Sequence, residues 1–331
     1  MDALFFFRPG CMIFSSEAEN GGIGMKVAVI GGFPAAIRAR IRACFPADWE
    51  LCIGPAEEAF LREADAVIPE HVRVDEAFLD QVPKLRMVQT GAGYDNVDLA
   101  ECARRGILVC NAAGVNSAAV AEHTMAMLLC WYKNLLPLDR SIREGGEVPD
   151  YAGAELAGKT VGVVGLGAIG RKVARYCDAF GMRVLGYSRH PAELPGVEAV
   201  DLDTLFRESD VVTLHVPLTG ETRHLVGQEA LAKMKPGALL INTSRGAVVD
   251  EARLIEALRE HTIGGACLDV FEEEPLPAGS PLRTLPNVLL TPHTAGLPDG
   301  VKFHEKRYRF FARNIARAFA GETPENLRDG T

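Results

Sequence analysis

The stretch Thr160-Val161-Gly162-Val163-Val164-Gly165-Leu166-Gly167-Ala168-Ile169-Gly170 constrains this chain more than any other. Apolar β-formers run into glycines spaced G-x-G-x-x-G, and the residues that follow, through Phe180, suit a helix. A strand, a tight glycine turn and a helix N-terminus together make an anion site, because free backbone N–H groups and the helix dipole meet there. Gly165 permits the turn, Gly167 lets the backbone approach a pyrophosphate, and Gly170 lets the helix lie near the strand. The same spacing occurs in glycine-rich turns without a ligand and in methyltransferase turns. A strand before it and a helix after it are the context that favours a dinucleotide. A second apolar strand, Met182 to Ser188, follows Gly181 and completes a βαβ unit.

At 331 residues the chain has room for two domains of ordinary size. Hydrophobic content of 48% and charged content of 24% fit a globular protein. The net charge of −9 argues against a nucleic-acid or anionic-membrane partner. The 8 cysteines are scattered without a C-x-x-C, which predicts buried reduced thiols in a cytoplasmic protein rather than a disulfide framework or a zinc site. No His/Cys/Asp spacing suggests a metal, and no apolar run is long enough to span a membrane. Residues 1–24 read as a flexible extension, or as the product of a start codon placed too early, with the first domain beginning at Met25.

From there strands and helices alternate. Lys26–Gly32, Leu51–Gly54, Ala66–Pro69, Leu85–Thr90 and Ile107–Asn111 read as strands, with helices from Pro34 to Cys44 and near 56–63, 75–79 and 97–105. Asn116 or Ser117 caps a long helix, Ala118 to about Tyr132, broken later by Pro137. Its Ala/Met/Leu face suits either core packing or a subunit interface. Beyond Ser188, strands fit Asp210–Leu214, Ala238–Asn242, Ile263–Leu268 and Val288–Leu290, with helices at 203–208, 228–233 and 251–260. A last helix, Asp299–Ala320, carries Phe303, Phe311, Ile315 and Phe319 as a core stripe. This alternation predicts an α/β protein with parallel sheets covered on both faces.

Open α/β sheets bind ligands past the C-terminal ends of their strands. Arg245, Asp269, Glu274 and His293 all stand there, after three successive strands. Singly, each is more often a solvated loop residue than a catalyst. Together, beside a dinucleotide turn, they point to hydride transfer to a carbonyl.

These segments resemble the D-isomer-specific 2-hydroxyacid dehydrogenases, a family that includes glyoxylate/hydroxypyruvate reductases and phosphoglycerate dehydrogenases. The likeness lies in Val88-Gln89-Thr90-Gly91-Ala92-Gly93-Tyr94-Asp95-Asn96-Val97-Asp98, Asn116 to Thr124, Leu156 to Gly170, Leu214-His215-Val216-Pro217-Leu218-Thr219, Asn242 to Asp250, Leu268 to Phe271, Glu274-Pro275 and Thr291-Pro292-His293. The resemblance implies two doubly wound parallel-sheet lobes with the site between them. A flavodoxin-like substrate lobe would span 25–112 plus 297–331, and a Rossmann dinucleotide-binding lobe 113–296. It implies His293 as general acid/base, Glu274 as its partner, and Arg245 as the cation that holds the substrate carboxylate, helped by the backbone of Ala92 and Gly93. Glu272 and Glu273 crowd Glu274, and only the family's Glu-Pro placement selects among them. The cofactor would be bound by Gly165, Gly167, Ala168, Ile169, Gly170, Ser188, Arg189, His215, Pro217 and Thr243, with Asp269 on the nicotinamide carboxamide. His215 serves equally as a structural histidine, and His123 is expected to be structural. Glu70 and His71 either read the substrate's side chain or are solvated, with solvation favoured. Homodimers through Asn116–Cys130 are implied as well.

One departure matters. NAD-using members usually end the second strand of the cofactor lobe in an acidic residue. Here it ends Tyr187-Ser188-Arg189-His190, with no carboxylate to repel a 2′-phosphate, which predicts a preference for NADP(H) over NAD(H). The expected function is NAD(P)H-dependent reduction of a small 2-oxo acid. A dinucleotide-sensing scaffold of the corepressor type is the alternative, and a relative acting on formate or phosphite a weaker third.

Overall fold

The computed structural model describes residues 24–70, 72–146, 153–189, 193–297 and 304–328. The expected extension before Met25 lies, apart from Gly24, outside them. The chain forms two compact units: the first runs to Val115 and takes back the end of the chain, and the second starts at Asn116.

In the first unit the elements are β1 (Lys26–Ile30), α1 (Ala35–Arg42), β2 (Glu50–Gly54), α2 (Glu58–Leu61), β3 (Ala66–Pro69), α3 (Glu76–Leu79), β4 (Met87–Thr90), α4 (Leu99–Arg104) and β5 (Leu108–Asn111). Asp75 and Asp98 accept N–H bonds from the third residue after them and so start α3 and α4. The second unit contributes α5 (Ser117–Tyr132), α6 (Leu135–Arg143), β6 (Thr160–Val164), α7 (Gly170–Ala179), β7 (Arg183–Tyr187), β8 (Val197–Ala199), α8 (Leu202–Glu208), β9 (Val211–Leu214), α9 (Gln228–Lys233), β10 (Leu239–Asn242), α10 (Glu251–Arg259), β11 (Gly265–Leu268) and β12 (Val288–Leu290). The first unit then closes with α11 (Glu305–Phe319) and β13 (Leu327–Arg328).

The first sheet has the order β13-β5-β4-β3-β1-β2 and the second β12-β11-β10-β9-β6-β7-β8. These are the flavodoxin-like and dinucleotide-binding orders of doubly wound sheets. The order reverses between β1 and β3 in one and between β6 and β9 in the other, and each reversal opens a crevice at the strand ends. Side chains alternate faces as strands require. Val27 and Val29 pack with Ile41, Tyr308, Phe311 and Ile315, and Ala28 and Ile30 pack with Leu61, Leu79 and Cys102 on the opposite face. Full burial of side chains such as Phe311 and Ile315 contributes roughly 1.5–3 kcal/mol each.

The structure departs from the sequence expectation at several points, and it adds α6 and β8, which the sequence reading lacked. The first sheet is not wholly parallel, because the two-residue β13 pairs antiparallel with β5. Pro137 breaks nothing: α5 ends where Asn134 turns left-handed (φ 52°), and Pro137 then sits in the first turn of α6, where its missing N–H costs no hydrogen bond. Asn116 stands before α5 but its side chain makes no capping bond; its Nδ2 lies against Gly296 instead. Finally, α11 begins at Glu305; the expected start at Asp299, with Phe303, lies outside the described residues.

Candidate active site

The glycine turn has the geometry its sequence requires. Gly165 follows β6 with φ +96°, and a Cβ there would meet the His215 carbonyl oxygen at 2.6 Å. A Cβ on Gly170 would stand 1.9 Å from the Gly165 oxygen, so α7 approaches the strand only because that atom is missing. Gly167 faces open space and, like Ala168, is exposed. The first turn of α7 holds Arg171 and Lys172 and no acidic residue. Cations there oppose the helix dipole unless an anion sits at the helix end. These features fit a dinucleotide pyrophosphate, with Ile169 leading into the helix.

Arg245, Glu274 and His293 occupy loops of the second unit that follow β10, β11 and β12. Asn242 shapes the first loop: its Oδ1 accepts from the Ser244 amide and hydroxyl, and its Nδ2 donates to the Arg245 carbonyl over 2.9 Å. Arg245 is half-buried, and its Nη1 donates to the Ser244 carbonyl over 2.7 Å. Glu274 Oε1 accepts from the Phe271 amide at 3.1 Å, which aims Oε2 at His293 Nδ1, 2.7 Å away. Burial pushes the Glu274 carboxyl up. The hydrogen bonds from His293 and Phe271 and the charges of His293 and Arg245 outweigh it and hold Glu274 below the usual carboxylate range. The charge of Arg245 therefore reaches the His293–Glu274 pair. Of the adjacent carboxylates, Glu272 turns away to His224, 2.6 Å from its Nε2, and Glu274 is the one that contacts His293.

His293 adopts φ 55°, a conformation that costs a non-glycine residue about 1–3 kcal/mol and that clusters at functional sites. Asp269 holds it there. Its backbone oxygen accepts from the His293 amide at 2.7 Å, while its carboxylate accepts from Thr291 Oγ1, the Thr294 amide and the Ala295 amide at 2.6–2.9 Å. Asp269 is fully buried, and this carboxylate, expected on the nicotinamide carboxamide, also ties down the loop that carries His293. His123 reaches the same loop through Thr291 Oγ1 at 3.1 Å, a structural tie from α5.

Among the remaining cofactor candidates, Thr243 is buried with its hydroxyl 3.1 Å from that of Thr124. Pro217 is exposed, and its carbonyl accepts from Thr222. His215 bonds Thr213 through Nε2, while its Nδ1 is buried without a partner among the described residues. Burial pushes this ring down to about 3, so it is neutral at ordinary pH. Ser188 and Arg189 follow β7 as expected, but the fold adds a carboxylate that the local sequence does not contain. Glu221, from the loop after β9, sits 2.9 Å from Arg189 Nη1. Ala92 and Gly93 belong to the first unit, in the loop after β4, where the Ala92 carbonyl accepts from Asn111 Nδ2 at 2.6 Å. Glu70 is not solvated as its loop position suggests: it is ion-paired to Arg307 and only 13% exposed. His71 lies outside the described residues.

Residues 125–295 match the model of the D-isomer-specific 2-hydroxyacid dehydrogenase NAD-binding domain. The chain is 44% identical over 267 residues to a glyoxylate reductase of Korarchaeum cryptofilum, covering 77% of this chain and 79% of that one. A D-lactate dehydrogenase of Aquifex aeolicus, solved with NAD and lactic acid, superposes with a TM-score of 0.79 at 32% identity, covering 88% of this chain and 95% of the other. An acyclic imino acid reductase solved with NADPH and D-arginine gives 0.79 at 28% identity, covering 92% and 100%. The two doubly wound sheets, the glycine turn and the Arg–Glu–His loops define a nicotinamide-dependent dehydrogenase. The chain belongs to the D-isomer-specific 2-hydroxyacid dehydrogenase family.

Proposed function

We propose that this protein reduces small 2-oxo acids such as glyoxylate or hydroxypyruvate to D-2-hydroxy acids. The observation that carries this is the 2.7 Å contact of His293 Nδ1 with Glu274 Oε2, within reach of the Arg245 charge. Nicotinamide, when bound, supplies a hydride to the carbonyl carbon. The ring of His293, held through Nδ1, presents Nε2 to the carbonyl oxygen and gives it a proton. Arg245 pairs with the substrate carboxylate and polarises the carbonyl. The amides of Ala92 and Gly93 take the remaining carboxylate oxygen. Asp269 acts as a positioning residue, fixing the strained backbone of His293.

We infer further that NADP(H) is preferred. Ser188 and Arg189 supply donors for a 2′-phosphate. The Arg189–Glu221 pair is exposed on both sides, at 60% and 74%, and exposed pairs hold weakly enough for a dianion to displace them. A homodimer is proposed as well, through α5 and its surroundings. Met125, Ala126 and Leu129 line an apolar groove with Tyr176 and Phe180, and Leu135, Leu136 and Ile142 stand exposed on α6. A cytoplasmic setting agrees with the seven free cysteines among the described residues.

The test is nicotinamide oxidation on adding a panel of 2-oxo acids with each cofactor. The expected result is turnover of at least one such acid, with kcat/KM higher for NADPH. Turnover of none contradicts the activity; a strong NADH preference contradicts only the cofactor assignment.

A further inference from the structure

We propose that Glu70 and Arg307 form a polar pair that reads the group on C3 of the substrate and selects 2-oxo acids with a hydroxyl there. This rests on the 2-oxo acid reading above. Glu70 directly follows β3, and Gly31 directly follows β1, so both stand where the strand order of the first sheet reverses. A Cβ on Gly31 would lie 3.2 Å from that of Glu70. Such a reversal is where open α/β sheets take their ligands.

Arg307 reaches this place from the first turn of α11. Its Nη2 donates to Glu70 Oε1 over 2.7 Å, and the Tyr308 hydroxyl donates to the same oxygen over 2.9 Å. The guanidinium lies 5.2 Å and 5.7 Å from the ring centres of Tyr308 and Phe311, which fix its plane. Its Nη1 would stand 3.6 Å from a Cβ on Gly91, the residue next to the Ala92 and Gly93 amides assigned to the carboxylate.

A purely structural role explains this poorly. The partners are 22% and 13% exposed, and apolar side chains of the same size would hold α11 without the desolvation cost of two charges. Arg307 Nε is moreover buried without a partner among the described residues. The two charges cancel, so the pair offers a donor and an acceptor with no net attraction for an anion. A hydroxyl both accepts and donates and satisfies the two together. A methyl group leaves both unpaired, and a second carboxylate meets Glu70.

The experiment measures kcat/KM of the full-length protein for hydroxypyruvate, pyruvate and oxaloacetate, then repeats it for Arg307→Met and Glu70→Gln. Each ratio comes from a single preparation, so any unfolded fraction cancels. Two hydrogen bonds to charged groups predict that hydroxypyruvate exceeds pyruvate by about 100-fold or more. Either substitution reduces the ratio below about 10-fold, chiefly through KM, and Arg307→Lys restores part of it. A wild-type ratio near one, a ratio unmoved in both variants, or a preference for oxaloacetate overturns the proposal. Glyoxylate has no C3, so its turnover by the unsubstituted protein separates the two ideas. Glyoxylate reduction with an unmoved ratio refutes the pair alone, whereas inactivity on every 2-oxo acid refutes the parent reading.

Discussion

Replacing Glu274 by Gln removes a charge while keeping the shape and an acceptor for the ring N–H of His293, so it isolates what the carboxylate does. The oxygen lies 2.7 Å from Nδ1. At that distance two unit charges interact by about 1.5 kcal/mol in water and by about 6 kcal/mol at an effective dielectric of 20. His293 is 41% exposed and Glu274 34%, so solvent screening places the pair at the lower figure. About 1.5 kcal/mol is about tenfold in rate. Reduction needs the protonated ring, which the carboxylate stabilises. The Gln variant should therefore lose about tenfold in kcat/KM at neutral pH. The assay is kcat/KM for a reducible 2-oxo acid at neutral pH. A rate within threefold of the parent would refute the reasoning.

Three further perturbations read other parts of the structure. Arg245→Lys keeps the charge but loses the planar fork, so kcat/KM should fall by roughly 10²-fold; a change under threefold would remove the carboxylate role. Gly170→Ala places a Cβ 1.9 Å from the Gly165 oxygen and should weaken NADPH binding in a fluorescence titration with the fold kept in circular dichroism; unchanged affinity would contradict the close approach of α7. Asp210 accepts from the Thr160 amide and from Lys235. Burial raises its carboxyl, but these bonds and the nearby lysines hold it below its ordinary 3.8. Its stabilisation is thus present above that value and lost as pH falls through the depressed one. Asp210→Asn should lower Tm at neutral pH, by a difference that shrinks in acid; a difference constant with pH would contradict the ion pair.

Strand-helix alternation and the glycine turn are local patterns, and both were legible in the chain. So was the placement of Arg245, Glu274 and His293, since each lies just past a strand and the strands are consecutive. What stayed hidden depends on distant partners. Glu221 reaches Arg189 across 32 residues, so the end of β7 gave no sign of a carboxylate. Glu70 meets Arg307 across 237 residues, and alone it reads as a solvated loop residue. Pro137 misled because proline stops a helix only from its interior, and the left-handed Asn134 that ends α5 carries no strong signal. Asp269 bears a family role in sequence, but its bonds to Thr291, Thr294 and Ala295 were hidden, because only the folded loop brings those groups to it.

The most direct measurement is hydride transfer from NADPH to glyoxylate by the wild-type protein and by His293→Gln, with cofactor binding measured on both. The account predicts turnover in the first, a fall of roughly 10²–10⁴-fold in the second, and similar cofactor affinity in each. Equal turnover in the two proteins would contradict it.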